Sequence, residues 1–313
     1  MVTMTKKPNF FIVGAPKCGT TSLCRYLKQH PDVFIPDLKE PNYFSYDLAT
    51  KRIRSRMALR DYLNLFKDAN SKAIGEGSTQ YLYSQIAAQE IYNFNPDAKI
   101  IIMLRNPVDF LYSYHNQCLL TLAEDIQDLK SALEAEPERR AGKRIPKECR
   151  GEATLFYSEL AKFAEQVQRY YDLFGRDRVQ IIIFDDFKAN TAQVYRSTLK
   201  FLAVDPEFKP EFKVYNSRQK VRNQSLYRAY MNFKWTALKI GRWLKPLPFH
   251  ALIKRVARNI INSAYLKNLL RQNESSTIEP ELREQLIVKF TPEVVKLSQI
   301  INRDLTNWTI YNG

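Results

Sequence analysis

Several residue types and segment types are scarce in this sequence, and each scarcity excludes a class of protein. The 313 residues include only nine glycines and 15 prolines, too few for a collagen-like or low-complexity chain. Four cysteines without metal-type spacing are too few for a disulfide scaffold and indicate reduced thiols in a cytoplasmic compartment. No segment reaches the ~20 uncharged apolar residues that a membrane-spanning helix needs. We therefore expect a cytoplasmic protein, soluble or at most peripheral at the inner face of a membrane.

Acidic residues are absent from one long segment, and this absence locates the charge of the chain. Lys and Arg outnumber Asp and Glu by 48 to 33, for a net charge of +15. Residues 218–273, called the basic segment below, contain 13 of the basic residues and no Asp or Glu. Aromatic side chains lie between these cations: Tyr227, Tyr230, Phe233, Trp235, Trp243, Phe249 and Tyr265. The rest of the chain is close to neutral, so the positive charge belongs to one part of the protein.

Apolar and aromatic residues are plentiful and occur in short periodic runs. The hydrophobic fraction is 45%, with 18 Phe and 18 Tyr to fill a core. Short apolar runs (FFIVG near the N-terminus, then residues 72–76, 99–104 and 179–184) alternate with helical patterns such as residues 159–174. This alternation predicts an α/β fold in which helices flank a parallel β-sheet, with a P-loop-like connection after the first strand.

The order of these patterns predicts a single domain over residues 1–313. Its core comprises residues 1–217 and 274–313, because the tail has an apolar helical pattern at 291–308 that can pack back onto the sheet. Residues 123–150 are charged and lack a strand pattern, so we expect a surface excursion there. The basic segment is expected to form a helical elaboration near the C-terminus.

A loop with two glycines follows the first apolar run and precedes a helical pattern. Backbone N–H groups of such a loop and of the helix N-terminus converge on an anion, so the pattern predicts a phosphate-binding loop. It differs from the nucleotide-triphosphate P-loop, which needs a lysine directly after the second glycine, where Thr20 stands. The candidate binding residues are Pro16, Lys17, Cys18, Gly19, Thr20, Thr21 and Ser22.

The run PKCGTT at residues 16–21 resembles the 5′-phosphosulfate-binding loop of the sulfotransferases that use 3′-phosphoadenosine 5′-phosphosulfate (PAPS). A second stretch supports this resemblance. Arg105 follows an apolar strand pattern, at the sheet edge where ligands bind, and Asn106 is the expected cap of the next helix. Ser113 follows eight residues after Arg105, which is similar to the arginine and serine that read the 3′-phosphate of PAPS in this family.

The resemblance implies roles for these residues. Lys17 would stabilise the leaving phosphate, and Arg105 with Ser113 would hold the 3′-phosphate. Phe110 stands where many relatives carry a second arginine, so that contact is absent. Lys220 and Arg222 lie where the family usually places a further clamp on the 3′-phosphate, or they simply begin the basic surface.

The family also needs a base that takes the proton of the acceptor. The run Leu38-Lys39-Glu40-Pro41-Asn42-Tyr43-Phe44 is similar to the segment that carries a glutamate base in the carbohydrate and many bacterial sulfotransferases. Glu40 is therefore the candidate base, and the adjacent Lys39 would tune its charge. His115 is the rival base, but on a helix it would point away from Ser113. Gly77 replaces a lysine that assists in some glycan sulfotransferases.

The basic segment admits three interpretations. Its cations and aromatic residues suit nucleic acid, but no recognised motif is present, and we expect no nucleic-acid partner. Cations with Trp, Phe and Leu also suit an amphipathic element on an anionic membrane surface. A basic rim that binds an acidic acceptor or attracts PAPS is the third interpretation.

The predicted function is transfer of the sulfuryl group of PAPS to a hydroxyl or amine of a glycan, glycolipid or small-molecule acceptor, with no metal required. Two alternatives stay open. A nucleoside or sugar kinase with a divergent P-loop would depend on ATP and Mg²⁺. A non-catalytic membrane-surface adaptor on the same fold would bind nucleotide without turnover.

Overall fold

The structure is a computed structural model. It describes residues 6–49, 56–149, 151–213, 220–221, 225–231, 236, 271–272 and 278–310.

The centre of the fold is a five-stranded parallel sheet. Its strands are β1 (Phe10–Gly14), β2 (Val33–Phe34), β3 (Ala73–Gly77), β4 (Lys99–Leu104) and β5 (Val179–Ile183), in the order β2-β3-β1-β4-β5. All five residues of β1 are buried, as expected for a strand covered on both faces. The chain passes from β1 to one half of the sheet and then returns beside β1 as β4. Ligands bind at such a point, in the crevice beyond the carboxyl ends of the strands.

Helices connect the strands and cover the sheet. They are α1 (Thr20–Leu27), α2 (Leu59–Asn64), α3 (Ala87–Phe94), α4 (Pro107–Thr121), α5 (Leu129–Glu134), α6 (Glu136–Arg140), α7 (Tyr157–Leu160), α8 (Phe163–Phe174), α9 (Phe184–Ala189), α10 (Thr191–Leu202) and α11 (Pro280–Ile301). The long helix α11 packs against α8 and α4, which brings the C-terminal part of the chain back to the core. The predicted α/β class and the parallel sheet with flanking helices are therefore confirmed.

Two predicted helices have different bounds in the structure. The pattern over 159–174 forms two helices, α7 and α8, because the backbone leaves the helical conformation at Lys162. The side-chain amide of Gln166 donates to the carbonyls of Glu159 and Leu160 at this break. The predicted tail helix at 291–308 begins at Pro280, whose missing N–H costs nothing in a first turn, and ends at Ile301.

Residues 123–150, predicted to be a surface excursion, are partly buried in the core. Glu124 and Arg139 are fully buried and form an ion pair at 2.7 Å. Tyr157 donates to the second oxygen of Glu124, and the backbone N–H groups of Asp125 and Ile126 donate to the first. Because both charges are paired and hydrogen-bonded, this part of the chain can enter the core.

Only part of the basic segment is described. Residues 225–231 are helical and pack on the end of α4, where Tyr227 is buried and donates to the carbonyl of Leu120. The backbones of Lys220–Val221 and Arg271–Gln272 pair as short antiparallel strands, which the sequence did not predict. No helix in the described ranges combines the length and apolar character needed to cross a membrane. The division into core and elaboration stays a prediction.

Candidate functional site

The loop after β1 joins the two central strands at their carboxyl ends. The N–H of Ala15 donates to the carbonyl of Met103 in β4 at 2.6 Å, so the loop leaves the sheet beside the end of that strand. Helix α1 then begins at Thr20, and its cap position is Gly19. Residues 16–22 therefore form a strand-to-helix turn at the switch point of the sheet, as predicted.

Gly19 has a conformation and surroundings that exclude a side chain. Its φ is +89°, which residues with a Cβ rarely adopt. A Cβ at this position would lie 3.2 Å from the rings of Phe184 and Phe187. The second glycine of the motif thus lets the loop turn tightly against α9.

Lys17 lies in this turn, is partly buried and reaches toward α4. Its Nζ donates to Oε1 of Gln117 at 3.2 Å. Gln117 is one helical turn after Ser113, so both side chains lie on the same face of α4. The structure therefore brings Lys17 and the Ser113 face of α4 together. Gln117 was not predicted, and only its spacing of four from Ser113 could have indicated it.

Arg105 follows β4 directly and is nearly buried, with 8% of its side chain exposed. Its guanidinium lies 5.0 Å from the ring centroid of Phe184 and 3.7 Å from Oδ2 of Asp109. Asn106 caps α4 by accepting from the N–H of Val108 at 2.9 Å, which confirms the predicted helix start. Arg105 is thus held at the sheet edge by an aromatic face and a carboxylate, neither of which was predicted to take part.

Cys18 is a buried thiol in this loop, and nearby charged side chains affect its pKa. Burial raises the pKa of the Cys18 thiol to about 12, whereas the positive charge of Arg105 and, more weakly, that of Lys17 lower it. The carboxylate of Asp185 raises it by more than Lys17 lowers it. Arg105 is therefore the charged group with the strongest effect on this buried thiol, and the smaller effects of Asp185 and Lys17 have opposite signs.

Glu40 lies on the loop after β2, and hydrogen bonds bring this loop to the same sheet edge. The N–H of Asn42 donates to Oγ of Ser78 at 3.1 Å, and the N–H of Ser78 donates to the carbonyl of Ile12 in β1. The Glu40 side chain is 33% exposed and pairs with Lys39 at 3.5 Å. Its φ of +51° turns the chain sharply at this residue.

Cys24 is a thiol on α1 whose electrostatic surroundings include Lys39 and Glu40. Burial raises the pKa of the Cys24 thiol to about 12. The charge of Lys39 lowers this pKa, and the carboxylates of Glu40 and Glu76 raise it. Cys24 is on the helix that begins with Thr20 and Thr21, and its Sγ lies against Gly77 at the end of β3, where an added Cβ would be 2.8 Å away.

Glu76 is a buried carboxyl group that was not singled out as a site residue. Burial raises its pKa to about 8, and the facing hydroxyls of Tyr81 and Tyr62 lower it in part. Neither of its carboxyl oxygens has a hydrogen bond of normal geometry to the described residues. Tyr81 also accepts from the N–H of Phe44 at 3.4 Å, so this cluster lies beneath the loop that carries Glu40.

The remaining residues from the sequence analysis either lie in the core or are not fully described by the structure. His115 is almost fully buried and its Nε2 contacts the carbonyl of Ile126 at 2.9 Å, away from the loop. Phe110 packs on Phe163 in the core. Lys220 is described only through its backbone in the short strand pair, and Arg222 lies outside the described residues. Their predicted contact with the 3′-phosphate stays a prediction.

The fold and the loop together define a class: a parallel α/β protein with a tight glycine-containing strand-to-helix turn at its switch point. Comparison with known proteins gives the family. Residues 7–237 match the sulfotransferase domain family, so the chain belongs to the PAPS-dependent sulfotransferases, which are enzymes that transfer sulfate. The predicted resemblance is confirmed.

Individual relatives cover this chain to different extents. The crystal structure of a sulfotransferase from Alicyclobacillus acidocaldarius matches with a TM-score of 0.71 and 31% identity, over 97% of this chain and 100% of that one. Carbohydrate sulfotransferase 15 of Mus musculus is 32% identical over 147 residues, which are 34% of this chain and 26% of that protein. Bifunctional heparan sulfate N-deacetylase/N-sulfotransferase 3 of Mus musculus is 27% identical over 211 residues, 66% of this chain and 23% of that protein. The chain thus spans about a quarter of the length of these two curated relatives.

Proposed function

We propose that this protein transfers the sulfuryl group of PAPS to a hydroxyl or amine of its acceptor. One observation carries the proposal: the loop that bears Lys17 leaves β1 beside the end of β4, through the hydrogen bond from Ala15 to Met103, and Arg105 follows β4 directly. Backbone N–H groups of the loop and the N-terminus of α1 suit one anion, and Arg105 suits a second. PAPS carries two such groups, a 5′-phosphosulfate and a 3′-phosphate.

The residues present fit that donor. The left-handed turn at Gly19 leaves room for an anion against the backbone, and Thr20, Thr21 and Ser22 follow it in the first turn of α1. Arg105 is nearly buried, so a phosphate that reaches it exchanges water for a charge-assisted hydrogen bond. Ser113, on α4 and also nearly buried, would be the second ligand of the same phosphate.

Each proposed residue has one chemical task. In the transfer, the sulfur–oxygen bond to the 5′-phosphate breaks and a sulfur–oxygen or sulfur–nitrogen bond to the acceptor forms. Lys17 would stabilise the charge that develops on the leaving phosphate. Glu40 would take the proton that the acceptor loses. No residue is assigned to a metal, and the expectation that none is required stays part of the proposal.

The names of the relatives favour a carbohydrate acceptor. Carbohydrate sulfotransferase 15 and the heparan sulfate enzyme act, by their names, on glycans, and the acceptor proposed here is a glycan or glycolipid hydroxyl or amine. Membrane-associated sulfotransferase kil1 of Dictyostelium discoideum is 34% identical over 109 residues, 34% of this chain and 22% of that protein. Its name fits the proposal that the basic segment meets an anionic surface, at the inner face of a membrane. No nucleic-acid partner is proposed.

The first experiment is calorimetric binding of 3′-phosphoadenosine 5′-phosphate (PAP), the product nucleotide, beside ATP with Mg²⁺. We expect PAP to bind more tightly than ATP, and we expect the Arg105→Ala variant to lose this binding. Preference for ATP would instead support the kinase alternative.

Turnover separates the proposal from the adaptor alternative. We expect transfer of ³⁵S from labelled PAPS to a glycan acceptor panel. PAP binding without any transfer, and without acceptor-independent hydrolysis of PAPS, would support a non-catalytic adaptor.

A further inference from the structure

Asp109 lies between two arginines at the predicted 3′-phosphate site, and one of them comes from the C-terminal helix. Its Oδ2 is 3.7 Å from Nη2 of Arg105, and its Oδ1 is 3.0 Å from Nη1 of Arg283. Arg283 lies in the first turns of α11. It follows Arg105 by 178 residues in the sequence. The three side chains form a continuous Arg-Asp-Arg group, with Arg105 the most buried member.

The position of Asp109 creates an electrostatic problem for phosphate binding. On α4, Asp109 is four residues before Ser113, so the two lie on the same helix face. A phosphate held by Arg105 and Ser113 would therefore have a carboxylate as a neighbour. Arg105 and Asp109 together carry no net charge, so the pair alone offers little attraction to a dianion.

Arg283 resolves this problem because it adds one positive charge to the group. Its place near the N-terminus of α11 is unfavourable for a cation by itself, since the helix dipole is positive there. The contact with Asp109 offsets that cost. The Arg283–Asp109 pair is only partly exposed, so water screens it less than a surface ion pair.

We infer that Arg283 is a positioning residue of the 3′-phosphate site: it neutralises Asp109 and so leaves the charge of Arg105 available to the donor nucleotide. The inference rests on the proposed function, because it takes the Arg105 side of the loop as the 3′-phosphate site. It also gives α11 a part in donor binding. Arg105, at the end of β4, and Arg283, on α11, are thus coupled through the carboxylate of Asp109.

The test compares two nucleotides that differ only in the 3′-phosphate, PAP and adenosine 5′-monophosphate, by calorimetry on the full chain. In the Arg283→Gln variant we expect the Kd of PAP to rise about tenfold, as for one lost charge-assisted interaction, with little change for adenosine 5′-monophosphate. Arg303→Gln is the matched control, because Arg303 also ties the C-terminal region to the core, through an ion pair with Asp186 at 2.7 Å. We expect its affinity for PAP to stay within about twofold of the wild type.

A double variant separates the charge effect from a loss of helix docking. Asp109→Asn removes the carboxylate that Arg283 neutralises, so Asp109→Asn/Arg283→Gln should recover PAP affinity to within about threefold of the wild type. If Arg283 only docks α11, the double variant also lacks the ion pair and stays as weak as Arg283→Gln. That result would overturn the inference, and so would an equal loss for both nucleotides or no loss at all.

The outcomes also separate this inference from the proposed function. If the wild type fails to bind PAP, both are rejected. If PAP binds and depends on Arg105 but is indifferent to Arg283→Gln, the proposed function stands and the inference alone is rejected.

Discussion

The proposed donor side and the proposed base side of the site are built in different ways. The donor side consists of a turn directly attached to β1, an arginine directly after β4 and the first turns of two helices. The base side is a loop that reaches the sheet edge through hydrogen bonds to Ser78 and Tyr81. Arg105 is 8% exposed, whereas Glu40 is 33% exposed and has an adjacent lysine as its ion-pair partner.

This difference indicates which part of the reaction is fixed by the fold. A buried cation between an aromatic ring and a carboxylate is held in place before any ligand arrives, which favours one donor. A partly exposed carboxylate on a loop is open to acceptors of various shapes. The donor should therefore be the common feature of this architecture, and the acceptor its variable one.

The largest expected effect concerns the base side. Glu40→Gln removes the group that would accept the proton, so kcat should fall by about 10² to 10⁴ while PAP affinity is unchanged. Steady-state kinetics with PAPS and calorimetry with PAP measure the two quantities. Asp37→Asn, on the same loop and paired with Lys28, is the control and should retain activity. Unchanged turnover in Glu40→Gln would show that another group is the base.

On the donor side, the tight turn at Gly19 should tolerate no side chain. Gly19→Ala places a Cβ at φ +89° and 3.2 Å from two rings, so we expect a loss of about 2–3 kcal/mol in the free energy of unfolding and weaker PAP binding. Gly142→Ala is the matched control, because Gly142 has φ +75° but nothing within 4 Å of the added Cβ. Equal destabilisation in the two variants, measured by urea unfolding, would mean that packing against α9 contributes nothing.

The buried Glu76 beneath the base loop predicts a pH dependence of stability. Its pKa of about 8 in the folded protein exceeds the ordinary value of 4.5, so between these pH values the folded state holds a proton that the unfolded chain has released. The free energy of unfolding should therefore fall as pH rises from about 5 to 8.

The Glu76→Gln variant keeps a neutral side chain and should lack this contribution. We expect the wild type to lose roughly 2–4 kcal/mol more than the variant between pH 5 and pH 8, in urea unfolding at constant ionic strength. Parallel pH profiles for the two proteins would contradict the assignment of the titration to Glu76.

The smallest expected effect concerns the hydrogen bond that holds the base loop. Ser78→Ala removes the acceptor for the N–H of Asn42, and we expect kcat to fall by a few-fold, equivalent to about 1 kcal/mol, with PAP affinity unchanged. Ser71→Ala is the control, since Ser71 precedes β3 at the opposite end of the strand and donates to the carbonyl of Pro31. A change in PAP affinity in Ser78→Ala would show that the two sides are not independent.

Much of the donor side could be predicted from the sequence because its determinants are local. The turn at residues 16–21, the strand that ends at Leu104 and the cap at Asn106 each depend on a few neighbouring residues. The carboxyl ends of adjacent parallel strands meet at one edge, so the loop and Arg105 were expected to lie together. The base side was predicted only through a resemblance. The residues around Glu40 have no local pattern that indicates which end of the sheet this loop approaches.

Most of the residues that the sequence analysis missed act across long separations, and Asp109, four residues after Arg105, is the local exception. Gln117 meets Lys17 over 100 positions, Phe184 covers Arg105, and Arg283 reaches Asp109 from the C-terminal helix. The buried pair of Glu124 and Arg139 was likewise expected at the surface, because charge alone predicts exposure unless the partner is known.

The sequence by itself determined the α/β class, the strand-to-helix turn after β1 and the place of Arg105 directly after a strand, because alternating patterns and short motifs encode local backbone geometry. Only the tertiary structure decided which carboxylate opposes this arginine, which glutamate is buried beneath the base loop, and that the last helix returns to the site. These features depend on charges that become neighbours only when distant segments pack together, and the energy of such pairs is set by burial and distance.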